Sequence, residues 1–508
     1  MKTNSFQSTL VFLLLVSALS GFLTACGAKN GQEATTKASK IVVGIPQDFD
    51  SLDPHIAQAS GTEEIMFNVF TGLTMPSTAG ELVPALAEKW EISADSTAYT
   101  FYLRKGVKFH NGSNLSAADV KYSYDRLCGK IPGEEKALKS TFANVVKEVE
   151  VLNDSTVKIV LKSRNAKFLS DTYIGIIPKD SGPSQASNPV GTGPYKFVDY
   201  TAGVGMNLAK FADYYEKGLP KLDQVEIKIF ADLNAGVLAL SNREIQFMQI
   251  VYDTIAQIPK GDFVIEQYPM NTVQLMGINN NFKPFQDKRI RQALNYAIDK
   301  QQIIAMLAPG APEVDSNFSP VMAYWYEDLK DYYSRDVEKA KKLLAEAGYP
   351  NLSFTIKVPG EYPIHVNAAQ IIEQQYKDAG ITVKIQVVDW NTWLTEVYAG
   401  RNHEATIIGL TGKLDPDNIL KRFSSGYSRN FINFNNPRYD QLIKDGEVES
   451  NAAKRVEIYK EAQRILTEEA ASVFIMDPIN YVAVDARMEG FKYYPIYFID
   501  LRYLNYKN

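Results

Sequence analysis

Two consecutive segments, DVEKAKKLLAEAGYPNLSFTIKV at 336–358 and AAQIIEQQYKDAGITVKIQVV at 368–388, share one pattern. In each segment apolar residues recur every three or four positions, a glycine ends the run, and an alternating apolar strand follows. The predicted helical faces consist of Val337, Ala340, Leu343, Leu344 and Ala347, and then of Ala369, Ile372, Tyr376 and Ala379. Two helix–glycine–strand units in succession require crossover connections, so the segments predict a largely parallel sheet in an α/β fold.

A second buried strand is predicted near the start of the folded chain. The β-branched run IVVGI at 41–45 is followed by the polar sequence Pro46-Gln47-Asp48. Ligands bind beyond the carboxyl ends of strands in open α/β sheets, so this loop is a candidate binding segment.

Residues 99–162 predict a small α+β module. Residues 99–112 alternate and then turn, and residues 149–162 form two alternating runs joined by the turn sequence NDS, which is typical of a hairpin. Between these strands, Ser116 followed three positions later by Asp119 predicts the start of a helix that continues through Tyr124.

The N-terminus predicts export and a lipid anchor. No charged side chain occurs from Thr3 to Ala28, which includes the apolar run LVFLLLVSALSGFL at 10–23. The run ends in LTAC, which resembles the bacterial lipobox, so we expect a signal peptide at 1–25 and lipidation of Cys26. A plain secretory signal with an incidental cysteine is the alternative. Residues 26–40 are polar and small, and predict a flexible linker.

Composition excludes several classes of function. The 508 residues carry 54 basic and 59 acidic side chains, a net charge of −5, which becomes −6 when residues 1–25 with Lys2 are removed. This balance does not favour nucleic acid as a partner. The two cysteines, Cys26 and Cys128, exclude a disulfide framework and a cysteine-rich metal site, and we expect Cys128 to be a small buried residue.

A search for catalytic motifs yields no strong candidate. The sequence has no nucleophile elbow, phosphate-binding loop or HExxH zinc helix, and GTGPYK at 191–196 predicts a turn. The histidines are scattered singly and favour satisfied surface or loop groups over metal ligands; they are His55, His110, His365 and His403. Asp415 and Asp417 flank Pro416 and allow a carboxylate pair for acid–base chemistry, although a turn that starts a helix is favoured.

Several long strings together resemble the solute-binding lipoproteins of ATP-driven peptide and nickel importers. They are LVPALAEKWEISADSTAYTFYLRKGVKFHNGSNLSAADVKYSYDR (82–126), NPVGTGPYKF (188–197), NNNFKPFQDKRIRQALNYAIDKQQI (279–303), the AKKLLAEAG helix and the LDPDN segment. The resemblance runs from about Ile41 to the C-terminus. It implies an α/β clamp of the type II periplasmic-binding-protein class, with two lobes, an extra inserted α+β domain and two or more chain crossings that act as a hinge.

The resemblance also implies domain limits. Lobe I is expected to consist of 41–75, 188–275 and 478–508, the inserted domain of 76–187, and lobe II of 276–477.

In the resembling proteins the cleft is lined by the loop after the first strand and by three segments of lobe II. Those positions hold Asp48, Phe49, Gly61, Thr62, Tyr362, His365, Trp390, Trp393 and Gly412 in this chain. Trp390 is equally consistent with a ligand-facing wall and with packing under its helix, whereas Trp393 favours the core. The dipeptide-binding branch clamps the ligand's ammonium with an aspartate and its carboxylate with an arginine, where this chain has Gly412 and Tyr362. A free dipeptide is therefore disfavoured, because burying a zwitterion without opposite charges is costly. Asp415 or Asp417 is the alternative ammonium ligand.

The expected function is that of a monomeric, membrane-tethered receptor that captures peptides, oligopeptides before free dipeptides, by lobe closure and delivers them to the permease subunits of an importer. No catalytic residue, cofactor or metal is expected, and the site is expected on the extracytoplasmic face of the membrane. The same fold binding a nickel chelate, an opine-like compound or an oligosaccharide is one alternative. A secreted hydrolase that uses Asp415 and Asp417 is another.

Overall fold

The computed structural model describes residues 39–132, 136, 138–496 and 498–507. The predicted signal peptide, Cys26 and residues 27–38 of the predicted linker lie outside the described residues. Within the described ranges, no helix combines the length and the apolar character that a membrane span requires.

Strands and helices alternate along most of the described chain. The strands are β1 (Lys40–Ile45), β2 (Thr74–Pro76), β3 (Leu82–Pro84), β4 (Ala87–Ile92), β5 (Ala98–Leu103), β6 (Val146–Asn153), β7 (Thr156–Leu161), β8 (Tyr195–Thr201), β9 (Gly205–Lys210), β10 (Gln224–Ile229), β11 (Phe247–Ile250), β12 (Phe263–Pro269), β13 (Thr272–Ile278), β14 (Ser353–Pro359), β15 (Thr382–Val388), β16 (Ala405–Thr411), β17 (Val473–Met476), β18 (Ile479–Asp485), β19 (Met488–Glu489) and β20 (Asn505–Tyr506).

The α-helices are α1 (Ser60–Met66), α2 (Ala117–Leu127), α3 (Ser140–Ala143), α4 (Leu233–Ser241), α5 (Lys288–Tyr296), α6 (Lys300–Leu307), α7 (Val337–Glu346), α8 (Pro363–Asp378), α9 (Trp390–Thr392), α10 (Pro416–Leu420), α11 (Pro437–Val448) and α12 (Ala452–Glu468). Short 3₁₀ helices occur at Phe168–Asp171, Gly182–Ser184, Tyr252–Gln257, Lys283–Gln286, Pro320–Met322 and Lys421–Phe423, and a π-helix follows α9 at Trp393–Ala399.

Lobe I is built on a seven-stranded sheet, ordered β12-β18-β11-β1-β10-β9-β8. The predicted strand IVVGI is confirmed as β1, which runs parallel to both β10 and β11 at the centre of the sheet. Its side chains Ile41 and Val43, which point to the same face of the sheet, are fully buried. The GTGPYK sequence is confirmed as a turn, and it leads directly into β8.

The inserted module is a four-stranded antiparallel sheet, β4-β5-β7-β6, covered by α2. The predicted hairpin is confirmed as β6 and β7, and the predicted helix start is confirmed by a capping box between Ser116 and Asp119. The helix continues to Leu127, three residues beyond the predicted end. Cys128 is a buried free thiol at its C-terminus, as predicted.

Lobe II is built on a five-stranded sheet, ordered β15-β14-β16-β13-β17. The predicted crossover is confirmed, because β14 and β15 run parallel on either side of α8. Pro363 occupies the first turn of α8, so this helix starts five residues before the apolar run from which it was predicted. The sheet is not wholly parallel: β13 runs antiparallel to both of its neighbours, β16 and β17.

The chain passes between the lobes twice, and the two crossings lie side by side. It leaves lobe I at Pro269 and enters lobe II at Thr272, then returns through Asp477 and Pro478. The Asp477 carboxylate accepts hydrogen bonds from the amides of Met270 and Thr272, at 3.1 and 3.0 Å, and another from the Ser319 hydroxyl. One buried carboxylate therefore ties the two crossings together. At the first crossing the chain enters the lobe II sheet from the edge that faces lobe I. Strand β13 therefore runs away from lobe I, antiparallel to its neighbours β16 and β17.

Candidate functional site

Two of the predicted ligand residues, Asp48 and Phe49, pack against their own lobe. The Asp48 carboxylate accepts hydrogen bonds from the Tyr200 hydroxyl and the Gly203 amide, both at 2.7 Å. Burial alone raises the pKa of Asp48, but these hydrogen bonds and one from the Phe49 amide outweigh it and lower the pKa below its usual value. The Phe49 ring meets the Tyr200 ring edge-on, with 5.7 Å between the centroids. The polar loop after β1 is thus fastened to the β8–β9 turn.

The beginning of α1 is joined to the same loop. Thr62 is buried, and its hydroxyl accepts a hydrogen bond from the Asp50 amide at 3.1 Å. A Cβ atom on Gly61 would lie 3.6 Å from the Gln47 side-chain oxygen, so Gln47 covers the first turn of this helix.

Tyr362 connects this part of lobe I to lobe II. Its hydroxyl approaches the Gln47 side chain of lobe I, and burial raises the pKa of this hydroxyl above the usual value. The Tyr362 ring lies edge-on to the Trp390 indole at 5.4 Å, and Trp390 stacks on Trp393 at 5.0 Å with the rings within 3° of parallel. Three predicted site residues from the two lobes, Gly61, Tyr362 and Trp390, therefore come together around Gln47.

The two tryptophans occupy different environments. Trp390 is half-buried, whereas Trp393 is 2% exposed and donates from its indole nitrogen to the Thr406 hydroxyl at 2.9 Å. Trp393 thus belongs to the lobe II core, which is the reading that the sequence favoured, and it supports Trp390 from beneath. The helical segment that carries both tryptophans begins as the short helix α9 and continues as a π-helix.

His365 is a buried structural group behind Tyr362. Its Nε2 atom accepts a hydrogen bond from the Gly409 amide at 3.1 Å, and its Nδ1 atom lies 2.9 Å from the Gln274 side-chain amide. Burial lowers the pKa of His365 to about 3, so the ring is neutral. With Nε2 as an acceptor, the neutral ring carries its proton on Nδ1, on the side that faces the Gln274 side chain.

Gly412 lies against the first crossing between the lobes. Its amide donates to the Asn271 carbonyl at 2.5 Å, and a Cβ atom at this position would lie 2.1 Å from the Asn271 side-chain oxygen. Asn271 in turn donates to the Pro495 carbonyl at 2.8 Å. An aspartate in the place of Gly412 would therefore collide with Asn271.

Asp415 and Asp417 are held in buried ion pairs, and the hydrolase interpretation is wrong. Both oxygens of Asp415 accept from Arg455 at 2.8 Å, and Asp417 is fully buried 3.5 Å from the Lys167 ammonium. Asp415 caps α10 as the turn interpretation predicted. These partners occupy the carboxylates that acid–base chemistry would need, and the placement does not favour either residue as an ammonium ligand.

Lys167 also joins the inserted module to lobe II. Its ammonium donates to the Asn418 side chain at 2.9 Å, and the neighbouring Ala166 amide donates to the Glu447 carbonyl at 2.9 Å. Burial raises the pKa of Asp417 to about 6, although Lys167 acts in the opposite direction.

The sequence did not single out Gln47, Asp477 or Glu64. Gln47 and Asp477 lie in short connections, and they contact residues more than two hundred positions away, so no local pattern indicates them. Glu64 lies on α1, and the buried Asn68 follows four positions later, just beyond the end of this helix. This spacing places both polar residues on one helical face, and it is the signal in the sequence that could have indicated that Glu64 is buried.

Of two cavities formed by the described residues, the larger lies away from the predicted site residues. It has a volume of about 620 Å³ at the end of the lobe II sheet remote from the crossings, and is lined by residues that include Asn279, Lys357, Arg401 and His403. The smaller cavity, of about 20 Å³, lies beside the crossings and is lined by Glu64, Tyr268, Met270 and Asn480 among others. In the described ranges, no cluster of three or more histidine, cysteine or acidic side chains is placed to hold a metal ion.

Comparison with known proteins gives a consistent result. The family of bacterial extracellular solute-binding proteins, family 5, matches residues 81–431. The heme-binding protein A of Haemophilus influenzae is 31% identical over 458 residues, which cover 81% of this chain and 82% of that protein. The dipeptide-binding protein of Escherichia coli is 30% identical, with coverage of 82% and 84%.

A solved structure has the same fold. The ABC transporter-associated periplasmic binding protein DppA of Helicobacter pylori, in complex with the peptide STSA, superposes with a TM-score of 0.78 at 27% identity, and covers 92% of this chain and 98% of that chain. The predicted α/β clamp with an inserted domain is thereby confirmed.

Proposed function

The chain belongs to the bacterial extracellular solute-binding proteins of family 5, and we propose that it captures peptides between its two lobes for an ATP-driven importer. Its relatives are binding proteins, and the chain is accordingly a binding protein and not an enzyme. The contact of Gln47 in lobe I with Tyr362 in lobe II, beside Trp390, carries the proposal. A ligand that contacts both sides gains its full binding energy only when the lobes close.

Oligopeptides are preferred over free dipeptides in this proposal. The positions at which the dipeptide-binding branch has charged clamps hold Gly412, packed on Asn271, and the uncharged Tyr362. A longer peptide offers more backbone hydrogen bonds per terminal charge, so it depends less on such clamps.

The mature protein is further proposed to begin at a lipidated Cys26, to be held on the extracytoplasmic face of the membrane, and to deliver its cargo to permease subunits as a monomer. The uncharged leader and the LTAC sequence support the anchor. Labelling cells with a radioactive fatty acid tests it: the native chain becomes labelled and fractionates with membranes, whereas Cys26→Ser remains unlabelled.

Solution scattering tests the clamp. A mixed peptide pool is expected to reduce the radius of gyration of the purified protein. Pools of nickel chelates, opines, oligosaccharides and haem serve as the alternative ligand classes, since the relatives differ in the cargo for which they are named. An unchanged profile with every pool would exclude closure around a cargo. Native mass spectrometry of protein purified without denaturation then identifies the bound mass.

A further inference from the structure

The smaller cavity has an aromatic wall. Five rings line it, and they belong to Tyr268, Phe491, Tyr493, Tyr494 and Phe498. The centroids of Tyr268 and Tyr493 are 4.0 Å apart, and those of Tyr494 and Phe498 are 4.5 Å apart, so the rings support one another. Its volume of about 20 Å³ holds one group the size of a water molecule.

One acidic side chain faces this wall. Glu64 is 9% exposed, and its Oε1 atom accepts a hydrogen bond from the Gln249 side chain at 2.7 Å. Among the described residues, no cation pairs with Glu64, and burial raises the pKa of this carboxyl to about 8. A buried carboxyl that has only a neutral amide as its partner is poorly compensated in its ionised form.

The other charged groups near the cavity are engaged elsewhere. The Lys492 ammonium lies over the Tyr503 ring at 3.2 Å. Asp500 accepts from Arg502 and, at 2.7 Å, from the Tyr494 hydroxyl. Glu64 is therefore the carboxyl in this cavity that remains available to an incoming positive charge.

The cavity also adjoins the candidate cleft. Met270 and Asn480, which lie at the two crossings, contribute to its lining, and α1 carries the predicted site residue Gly61 three positions before Glu64.

We propose that this aromatic-walled cavity receives the positively charged amino group of the cargo, with Glu64 as its counter-ion. An ammonium group is about the size of the space, aromatic faces attract cations, and a carboxylate supplies the opposite charge. The site would replace the aspartate clamp that Gly412 excludes. The inference rests on the proposed function, because it assigns one end of a peptide held in that cleft.

The chemistry requires one proton to leave. In the empty protein at neutral pH, Glu64 is largely in its protonated form because its pKa is about 8. The ammonium of the cargo favours the carboxylate, so the carboxyl proton passes to solvent as the ion pair forms, while the ammonium keeps its own protons.

Native mass spectrometry with two pools of short synthetic peptides tests the assignment. Both pools lack lysine and arginine, and one is N-acetylated. The native protein should retain free-amine peptides at least tenfold more than acetylated ones, Glu64→Gln should bring the ratio close to one, and Glu63→Gln, on the same helix, should leave it unchanged. Equal retention of both pools by the native protein, or an unchanged ratio in Glu64→Gln, would overturn the inference and leave peptide capture standing. Retention of neither pool would instead reject the peptide cargo, and this site with it.

Calorimetry in two buffers of different ionisation enthalpy gives an independent measure. Binding of a free-amine peptide at pH 7 should release close to one proton per peptide from the native protein and from Glu63→Gln, and none from Glu64→Gln. Equal proton release in all three proteins would exclude Glu64 as the counter-ion.

Discussion

The side chain of Gln47, in the loop after β1 of lobe I, approaches the hydroxyl of Tyr362 at the start of α8 in lobe II. Gln47 also covers Gly61, and Tyr362 leans on Trp390, so this contact is the centre of a small cluster drawn from both lobes. The first prediction concerns this contact.

Tyr362→Phe removes the hydroxyl and keeps the ring. Loss of a polar contact of this kind costs about 1 kcal/mol, so we expect cargo affinity to fall about fivefold while thermal stability changes little. Fluorescence titration with a bound peptide measures the affinity. Tyr324→Phe, at a site 60% exposed, is the matched control and should bind as the native protein does. Equal affinity of both variants would mean that the contact between Gln47 and the Tyr362 hydroxyl does not support closure.

Truncation of Trp393 should mainly reduce stability, whereas truncation of Trp390 should mainly reduce cargo affinity. Trp393→Ala leaves a cavity in the lobe II core and is expected to cost about 3–5 kcal/mol of unfolding free energy. Trp390→Ala, at the half-buried outer ring, should cost about 1 kcal/mol of stability but at least tenfold in cargo affinity. Chemical denaturation and binding assays on the two variants separate these effects. A Trp390→Ala protein with native affinity would place that indole outside the binding surface.

Gly412→Ala is expected to disturb the first crossing. The added methyl group would lie 2.1 Å from the Asn271 side-chain oxygen, so Asn271 must move, at a cost of about 1–3 kcal/mol. Gly426→Ala provides the control, because no atom lies within 4 Å of its Cβ position. Because the entropy of unfolding grows with chain length, the melting temperatures of the two variants should differ by about 1–3 °C, and a matching loss in both would point to a general effect of replacing glycine.

Asp477 should make stability depend on pH. Burial raises its pKa to about 7, even though hydrogen bonds from Ser319 and the amides of Thr272 and Met270 act in the opposite direction. In the unfolded chain the carboxyl loses its proton near pH 4, whereas in the folded chain it keeps that proton until about pH 7. The unfolded state therefore binds fewer protons in this window, so the contribution of Asp477 is complete below pH 4 and is lost as the pH rises to 7.

Asp477→Asn tests this dependence. Denaturation midpoints measured from pH 4 to pH 8 should fall less steeply for Asp477→Asn than for the native protein. Glu64 and Asp417, with pKa values raised to about 8 and about 6, keep part of the slope in both proteins. Parallel curves would show that Asp477 does not titrate in this range.

Lys167→Met should loosen the contact between the inserted module and lobe II. The change leaves Asp417 buried without its cation, and such losses typically cost about 3–5 kcal/mol. Adding Asp417→Asn to Lys167→Met removes the unpaired charge and should recover part of the stability. A double variant no more stable than Lys167→Met would mean that Lys167 acts through Asn418 alone.

The elements of the fold were predictable where the pattern was local. The helix behind Asp336, the strand after Gly380 and the capping box at Ser116 each depend on residues a few positions apart, and each was found. The antiparallel direction of β13 was not, because it depends on where the chain enters lobe II and not on its own sequence.

The site was predictable only in outline. The sequence indicated Tyr362 and Trp390, which meet, but the partner of Tyr362 is more than three hundred residues away along the chain. Asp415 showed the limit most clearly: its position in a Pro-flanked acidic pair gave no sign of Arg455, forty residues later, which holds it in a buried pair. The role of Glu64 depends on Gln249 and on rings near the C-terminus, and no local motif encodes that assembly.

Asn271 serves two purposes at once, because it forms part of the first crossing and fills the space in front of Gly412. A mutation that enlarged Gly412 to recognise a new cargo would therefore also alter how the halves of the molecule swing. Cargo preference at position 412 and movement at the first crossing therefore depend on the same residue. A larger side chain at position 412 would first require a replacement of Asn271.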